Sequence, residues 1–207
     1  MSPPPSPPSS PSSRFATGSL ESNKLAPFNP IDSSAQTSAL SFLSLTSSDV
    51  LFDLGCGDGR LLLAAARGTP GLRCVGVEYD RVYYDRAVSA CEGAEGVEII
   101  HGDVVNVDLS SATAVFVYLV PNGLKLVEEK LRGVLERGGR IVSYMFSVPG
   151  VVAKETGSAK GGCKVSLYDR SSLPGSPADQ LKSSAADDEP RPDLPSPLSP
   201  STPTLPP

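Results

Sequence analysis

The stretch Val50-Leu51-Phe52-Asp53-Leu54-Gly55-Cys56-Gly57-Asp58-Gly59-Arg60 decides the fold of this chain. A short apolar run leads into three glycines at alternate positions, and an amphipathic segment over 60–67 starts directly after them. Glycine takes positive φ without a Cβ penalty and lets a ligand approach the backbone closely. A helix that begins at Arg60 adds unpaired amides aimed at the same place. Strand, glycine turn and helix in this order open a parallel α/β unit.

Outward from the loop the alternation continues. Strands are expected at 73–78, 97–100, 114–120, 140–146 and 164–168, and the 114–120 run is apolar throughout, as in a strand covered on both faces. Between them, a helix over 60–67 closes at Gly68, a second runs from a cap at Asp80 to about Cys91, and a third covers 124–135 before Gly138-Gly139. Ahead of the first strand, the turn-prone Ala26-Pro27-Phe28-Asn29-Pro30 precedes a helix capped by Asp32 or Ser33 and ending near Leu45. This pattern predicts an α/β, Rossmann-like doubly wound, mostly parallel sheet with helices on both faces.

Composition sets the domain limits. Residues 2–13 are only Ser and Pro, and 171–207 hold ten of the 21 prolines. Both segments carry too little apolar surface to offset the entropy of ordering. The expectation is a disordered tail over 1–24, a folded domain over 25–170, and a second disordered tail over 171–207. The Ser-Pro and Thr-Pro pairs at Ser6, Ser10, Ser176, Ser196, Ser199 and Thr202 suit a proline-reading partner domain, although a plain low-complexity extension is the preferred reading. A net charge of −5 without any Lys/Arg cluster argues against nucleic acid as a partner. No apolar run approaches a membrane span. Cys56, Cys74, Cys91 and Cys163 lack paired spacing and read as free thiols, and no metal-ligand spacing is present.

Two readings of the loop compete. A dinucleotide fingerprint is Gly-x-Gly-x-x-Gly, whereas here the glycines are Gly55, Gly57 and Gly59. Asp53, just before the first glycine, would repel a pyrophosphate but suits the ammonium of an amino acid such as the methionine part of S-adenosyl-L-methionine. Glu78, at the end of the second strand, can accept both hydroxyls of a ribose. Asp103, after Gly102 and the third strand, can accept from an adenine amino group. One acid at the end of each of three successive strands favours that cofactor over a nicotinamide.

On these residues the chain resembles the class I, seven-strand S-adenosylmethionine-dependent methyltransferases from about Leu25 to Tyr168. Asp53–Gly59 matches that family's first motif, and Glu78 and Gly102-Asp103 are similar to its second and third. The resemblance implies cofactor contacts at Asp53, Gly55, Cys56, Gly57, Gly59, Glu78, Asp103 and Val104, with Tyr79 beside the adenine. More narrowly, Ala26-Pro27-Phe28-Asn29-Pro30, the loop followed by Ala64-Ala65-Ala66, and Val120-Pro121 with Leu131 resemble the protein-lysine methyltransferases of ATP synthase c-subunit and adenine nucleotide translocase. That likeness implies a lysine side chain of a protein as acceptor, with a small molecule or another protein side chain as the alternative and a silent cofactor-binding scaffold as the rival. Those relatives carry an apolar N-terminal anchor where residues 1–24 here are Ser/Pro-rich, so the expected location is cytoplasmic, with mitochondrial as the alternative. Their sheet ends in a hairpin, whereas after Tyr168 low complexity follows, and the expectation is a sheet that stops short of its last strand.

Methyl transfer from a sulfonium needs alignment and a dry pocket more than a dedicated base. Tyr118 and Pro121, at the carboxyl end of the fourth strand, are the expected catalytic residues, shaping the methyl channel at the topological switch point. An ordinary strand aromatic is the equal alternative for Tyr118. Phe28 and Asn29 are candidates to close over the cofactor. His101 reads as a loop residue and Cys56 as a small side chain inside the loop. Tyr83 and Tyr84 read as packing residues, and the interleaved charges of 125–137 read as a solvated face.

Overall fold

The computed structural model describes residues 30–175. The N-terminal tail reading, the C-terminal one beyond residue 175 and the Phe28-Asn29 turn lie outside these residues.

Asp32 caps α1 (Ser33–Leu43), its carboxylate accepting from the amides of Ser34 and Ala35 at 2.8 and 3.0 Å. Strands β1 (Val50–Leu54), β2 (Arg73–Glu78), β3 (Val97–His101), β4 (Ala114–Val117) and β5 (Arg140–Tyr144) are all parallel. Helices α2 (Arg60–Gly68), α3 (Arg81–Ala90) and α4 (Pro121–Glu136) follow β1, β2 and β4. Strand β7 (Lys164–Tyr168) runs antiparallel to β5, and β6 (Glu155–Ser158) pairs antiparallel with β7. The order across the seven-stranded sheet is β3-β2-β1-β4-β5-β7-β6.

The expected Rossmann-like architecture is therefore present, with one correction: the sheet is not short of a strand. Its closing hairpin is β6–β7, and the strand missed lies before 164, not after Tyr168. Three of the four residues of β6 are exposed, so no apolar alternation marks it.

Two apolar layers sandwich the sheet. Ala35, Ala39 and Leu43 of α1, Leu61, Leu62 and Ala65 of α2 and Ala87 of α3 cover one face together with Leu51, Cys74, Phe116 and Val142. Leu124, Val127, Leu131, Val134 and Leu135 of α4 cover the other, against Phe52, Leu54, Val115, Val117 and Tyr168. Leu173 packs there too.

Several bounds differ in ways that have a physical reason. Gly68 stays inside α2 with Thr69 as its cap, and the turn that follows is made by Gly71 at φ 83°. Helix α4 starts three residues early because Pro121 occupies its first position, where the missing N–H costs nothing. Strand β4 correspondingly ends at Val117. The charged face of α4 is not wholly solvated: Lys130 Nζ donates to the Val107 carbonyl at 2.6 Å, and Arg137 Nη2 donates to that of Leu109 at 2.8 Å.

The amino ends of the strands are clasped by one ion pair. Arg140 Nη1 and Nη2 donate to the two oxygens of buried Asp49 at 3.0 and 2.8 Å, and Thr113 Oγ1 donates to Asp49 Oδ1 at 2.7 Å. Arg140 Nε reaches the Leu43 carbonyl, which ties in the end of α1. The Arg140 guanidinium holds the Asp49 carboxyl well below the usual carboxylate range.

Candidate active site at the carboxyl ends of the strands

The loop after β1 is fixed from below and from the side. Amides of Gly55 and Cys56 both donate to the Val77 carbonyl, at 2.9 and 3.0 Å, and Gly57 N–H donates to Glu78 Oε2 at 2.9 Å. The other Glu78 oxygen accepts from Asp80 N–H at 2.8 Å. Gly55, Gly57 and Gly59 stand at φ 86°, 57° and 77°, so the loop is three left-handed residues that a side chain would strain. At Gly59 an added Cβ would also lie 2.9 Å from Cys91 Sγ.

A fourth glycine matters for a different reason. Gly76 is the β2 partner of Asp53, and a Cβ there would meet Leu62 Cδ1 at 2.5 Å and Cys56 Sγ at 2.8 Å. Its bareness lets Cys56 turn inward, where burial pushes the thiol far up and leaves it unreactive. Cys56 thus packs under the loop, with its amide already given to the Val77 carbonyl.

Asp53 is 3% exposed at the end of β1. Burial, then the charges of Glu78 and Asp58, push its carboxyl up to about 8. Such a group is neutral at pH 7 until a cation arrives. Asp58 itself is taken by Arg60, whose Nη2 donates to Oδ2 at 2.6 Å while Nη1 donates to the Ile31 carbonyl at 3.4 Å. This links the chain entering α1 to the start of α2, a contact that nothing in the sequence announced.

The end of β3 lies alongside. Gly102 N–H donates to the Glu78 carbonyl at 2.9 Å, and Asp103 Oδ1 accepts from Val105 N–H at 3.0 Å, capping a short 3-10 turn, Val104–Asn106. Val104 is buried in the α4-side core, so only its backbone faces the crevice. His101 is exposed; its Nε2 lies 3.1 Å from the Tyr79 carbonyl and its ring 4.9 Å from that of Tyr84. It braces the turn that carries Tyr79. Arg81 and Arg86 lie over the rings of Tyr84 and Tyr83, in keeping with their packing role.

The register Leu54↔Val117 sets Gly55 beside Tyr118 across the switch point between β1 and β4. Leu119 Cδ2 would sit 3.5 Å from a Cβ on Gly55, so the chain after β4 walls the same crevice as the glycine loop. Tyr118 is half-buried, edge-on to Tyr144 at 4.9 Å and 77°, and its hydroxyl donates to Met145 Sδ at 2.9 Å. Tyr144 and Met145 were not anticipated, because 140–146 reads as one unbroken strand.

The structure thus gathers the expected cofactor residues along the ends of three adjacent strands, and Tyr118 and Pro121 along the fourth. A buried carboxyl at Asp53 suits an ammonium. Glu78 retains lone pairs for vicinal hydroxyls, and the loop glycines, lacking side chains, let a ligand approach the backbone closely. Among the described residues no group of three or more His, Cys, Asp and Glu side chains could hold a metal ion. No helix among them is long and apolar enough to cross a membrane.

Known proteins share this arrangement. Residues 53–155 match the ANTKMT methyltransferase domain. A protein-lysine N-methyltransferase of Saccharolobus islandicus is 32% identical over 139 residues, which are 66% of this chain and 86% of that protein. The Rattus norvegicus lysine N-methyltransferase of the ATP synthase c-subunit is 33% identical over 102 residues, 48% of this chain and 46% of that enzyme, so the chain spans about half of its length. Among solved structures, an RNA methyltransferase from Salinibacter ruber in complex with S-adenosyl-L-homocysteine is 31% identical with a TM-score of 0.60, covering 73% of this chain and 98% of that one.

Proposed function

Because the chain belongs to the family of S-adenosylmethionine-dependent methyltransferases that carry the ANTKMT methyltransferase domain, we propose that it methylates the side-chain amine of lysine on a protein substrate. The observation that carries the reading is the loop of three left-handed glycines, tethered by Glu78 and set directly above the buried carboxyl of Asp53. When bound, S-adenosylmethionine supplies a methyl group on a sulfonium: the acceptor nitrogen's lone pair forms the new N–C bond, the C–S electron pair stays with sulfur as S-adenosylhomocysteine, and the ammonium's extra proton leaves to solvent.

The chain's own residues then divide the work. Asp53 would pair with the ammonium of the cofactor, Glu78 would accept from its ribose hydroxyls, and Asp103 and Tyr79 would border its adenine. Gly55, Gly57 and Gly59 expose backbone along its length. Tyr118 and the Val120-Pro121 turn wall the side from which an acceptor enters, where low polarity favours a neutral amine. The lysine assignment is supported by the relatives that act on protein lysine. An RNA acceptor would meet a chain of net charge −5. Cytoplasmic rather than mitochondrial placement belongs to the same proposal, and an import assay with isolated mitochondria tests it.

Calorimetric titration with S-adenosylmethionine, wild type beside Asp53→Ala, tests the site, with micromolar binding expected in the first and none in the second. Incubation with methyl-tritiated cofactor and a lysate, followed by acid hydrolysis, tests the acceptor. Label in methyllysine is the expected result. Label only in nucleic acid or small molecules would overturn the lysine reading while leaving the cofactor site intact.

A further inference from the structure

Charge is divided along the carboxyl rim of the sheet. The half that follows β1 to β3 carries the carboxyl groups of Asp53, Asp58, Glu78, Asp80 and Asp103. The half beyond β4, β5 and β7 is furnished differently. β5 ends where Met145 turns to φ 65°, and Met145 N–H donates to the Lys164 carbonyl at 2.8 Å, so β7 begins directly beside the end of β5. Lys164 Nζ donates to Ser147 Oγ at 3.2 Å, over the segment that leaves β5. The β6–β7 hairpin, which pairs Ser158 with Lys164, turns at the same rim. Lys160 stands exposed on its tip, and the Lys160 N–H donates to Ser34 Oγ at 3.2 Å, which ties the tip to the start of α1. On the other flank Lys125 is exposed one turn below Pro121, its Cβ tilted back toward the helix start. Among the described residues, none of Lys125, Lys160 and Lys164 enters an ion pair. Glu128 and Glu129, further along α4, face Arg132 at 3.7 and 3.9 Å, and Asp32 is engaged in capping α1. A chain of net charge −5 thus keeps three unpaired cations on the half of the rim that faces an acceptor.

We propose that Lys160 and Lys164, with Lys125 opposite, select the acceptor by what surrounds it: the methylated lysine lies in a segment with carboxylates on both sides; this rests on the lysine reading above. A lysine-rich segment would meet like charge at this rim. Asp or Glu flanking a single lysine would instead pair with the rim and leave the amine to the less polar wall of Tyr118 and Pro121. Two strand spacings separate β4 from β7, about 10 Å, which an extended peptide covers in about three residues. The acids are therefore expected about three positions from the target lysine. RNA is the weaker match, because three lysines neutralise too few phosphates to hold it.

Fluorescein-labelled peptides test this without turnover, in the presence of S-adenosylhomocysteine. Each carries one central lysine, with Glu, Gln or Arg about three positions to either side. Anisotropy is expected to show the Glu peptide bound about tenfold more tightly than the Gln peptide, the worth of two or three exposed ion pairs. That gap is expected to close as salt rises to about 0.5 M. Lys160→Gln/Lys164→Gln is expected to cut it to about twofold, and Lys160→Glu/Lys164→Glu to place the Arg peptide first. S-adenosylhomocysteine affinity, expected to stay within about twofold of wild type, reports that both variants are folded. Equal or undetectable binding of the three peptides, or a gap that both variants leave intact, would overturn the proposal. So would a short mixed-sequence RNA that displaces the Glu peptide at lower concentration than the unlabelled peptide does, since the rim would then be built for phosphates. No methyllysine in the lysate assay would remove the lysine reading and this proposal together, whereas methyllysine there with the three peptides bound alike would remove only this one.

Discussion

Glu78 and Gly57 are joined by a 2.9 Å hydrogen bond from the loop amide to the carboxylate, so the end of β2 sets the height of the glycine loop. Because the other Glu78 oxygen holds Asp80, one side chain shapes the loop and the turn beyond β2 at once. Glu78→Ala should weaken S-adenosylmethionine binding by about 2 kcal/mol, on the order of 30-fold. Calorimetry measures this, and an affinity within threefold of wild type would separate Glu78 from the cofactor.

Asp53 makes a prediction about protons. With its carboxyl near 8, an arriving ammonium must strip a proton from the group at neutral pH. Cofactor titrations at pH 7 in buffers of different ionisation enthalpy should therefore show release of close to one proton. Asp53→Asn should show none, together with lost affinity.

The same shift fixes how ligand-free stability depends on pH. The folded value, about 8, lies above the ordinary 3.8, so Asp53's contribution is fully present below about pH 4 and is lost as pH rises through 8. Across that window the folded state holds a proton that the unfolded chain has already released. Asp53→Asn should then melt higher than wild type at pH 8, while the two converge near pH 4. A variant that melts lower at pH 8 would contradict this.

Arg140 carries the opposite sign. Removing it by Arg140→Met strands a buried Asp49 and should cost about 3 kcal/mol at pH 7. The Asp49 carboxyl is depressed in the fold, so the pair's stability is present above about pH 4 and lost as pH falls through the folded value. Urea midpoints of wild type and variant should accordingly differ most at neutral pH and draw together in acid.

At Gly76 the expectation is purely steric. Gly76→Ala places a Cβ 2.5 Å from Leu62 and 2.8 Å from the Cys56 sulfur, and overpacking of that kind costs about 1–3 kcal/mol. Since Cys56 lies in the loop, cofactor affinity should fall with stability. Unchanged affinity in a destabilised variant would show that the loop does not depend on this packing.

What the sequence revealed follows from which forces leave a local trace. The glycine loop, the acids ending β1 to β3 and the parallel strands were legible because apolar runs and left-handed glycines are local signals. β6 was not, since Glu155-Thr156-Gly157-Ser158 is an exposed edge strand defined by its bonds to β7. Met145 was hidden for a related reason: its left-handed turn is imposed by Lys164 and Ser143 on a residue with no preference for it. Arg60 was readable as a helix start but not as the residue that reaches the Ile31 carbonyl, 29 positions back. His101 stood beside the right motif and proved to support a neighbouring carbonyl.

The clasp of Asp49, Thr113 and Arg140 lies at one end of the strands, and Asp53, Glu78, Tyr118 and Met145 lie at the other. Descendants of this chain can therefore change what they modify without renegotiating how they fold. Loops at the working rim are free to drift toward new acceptors while the far end keeps selection on stability satisfied, so relatives should diverge in substrate sooner than in scaffold.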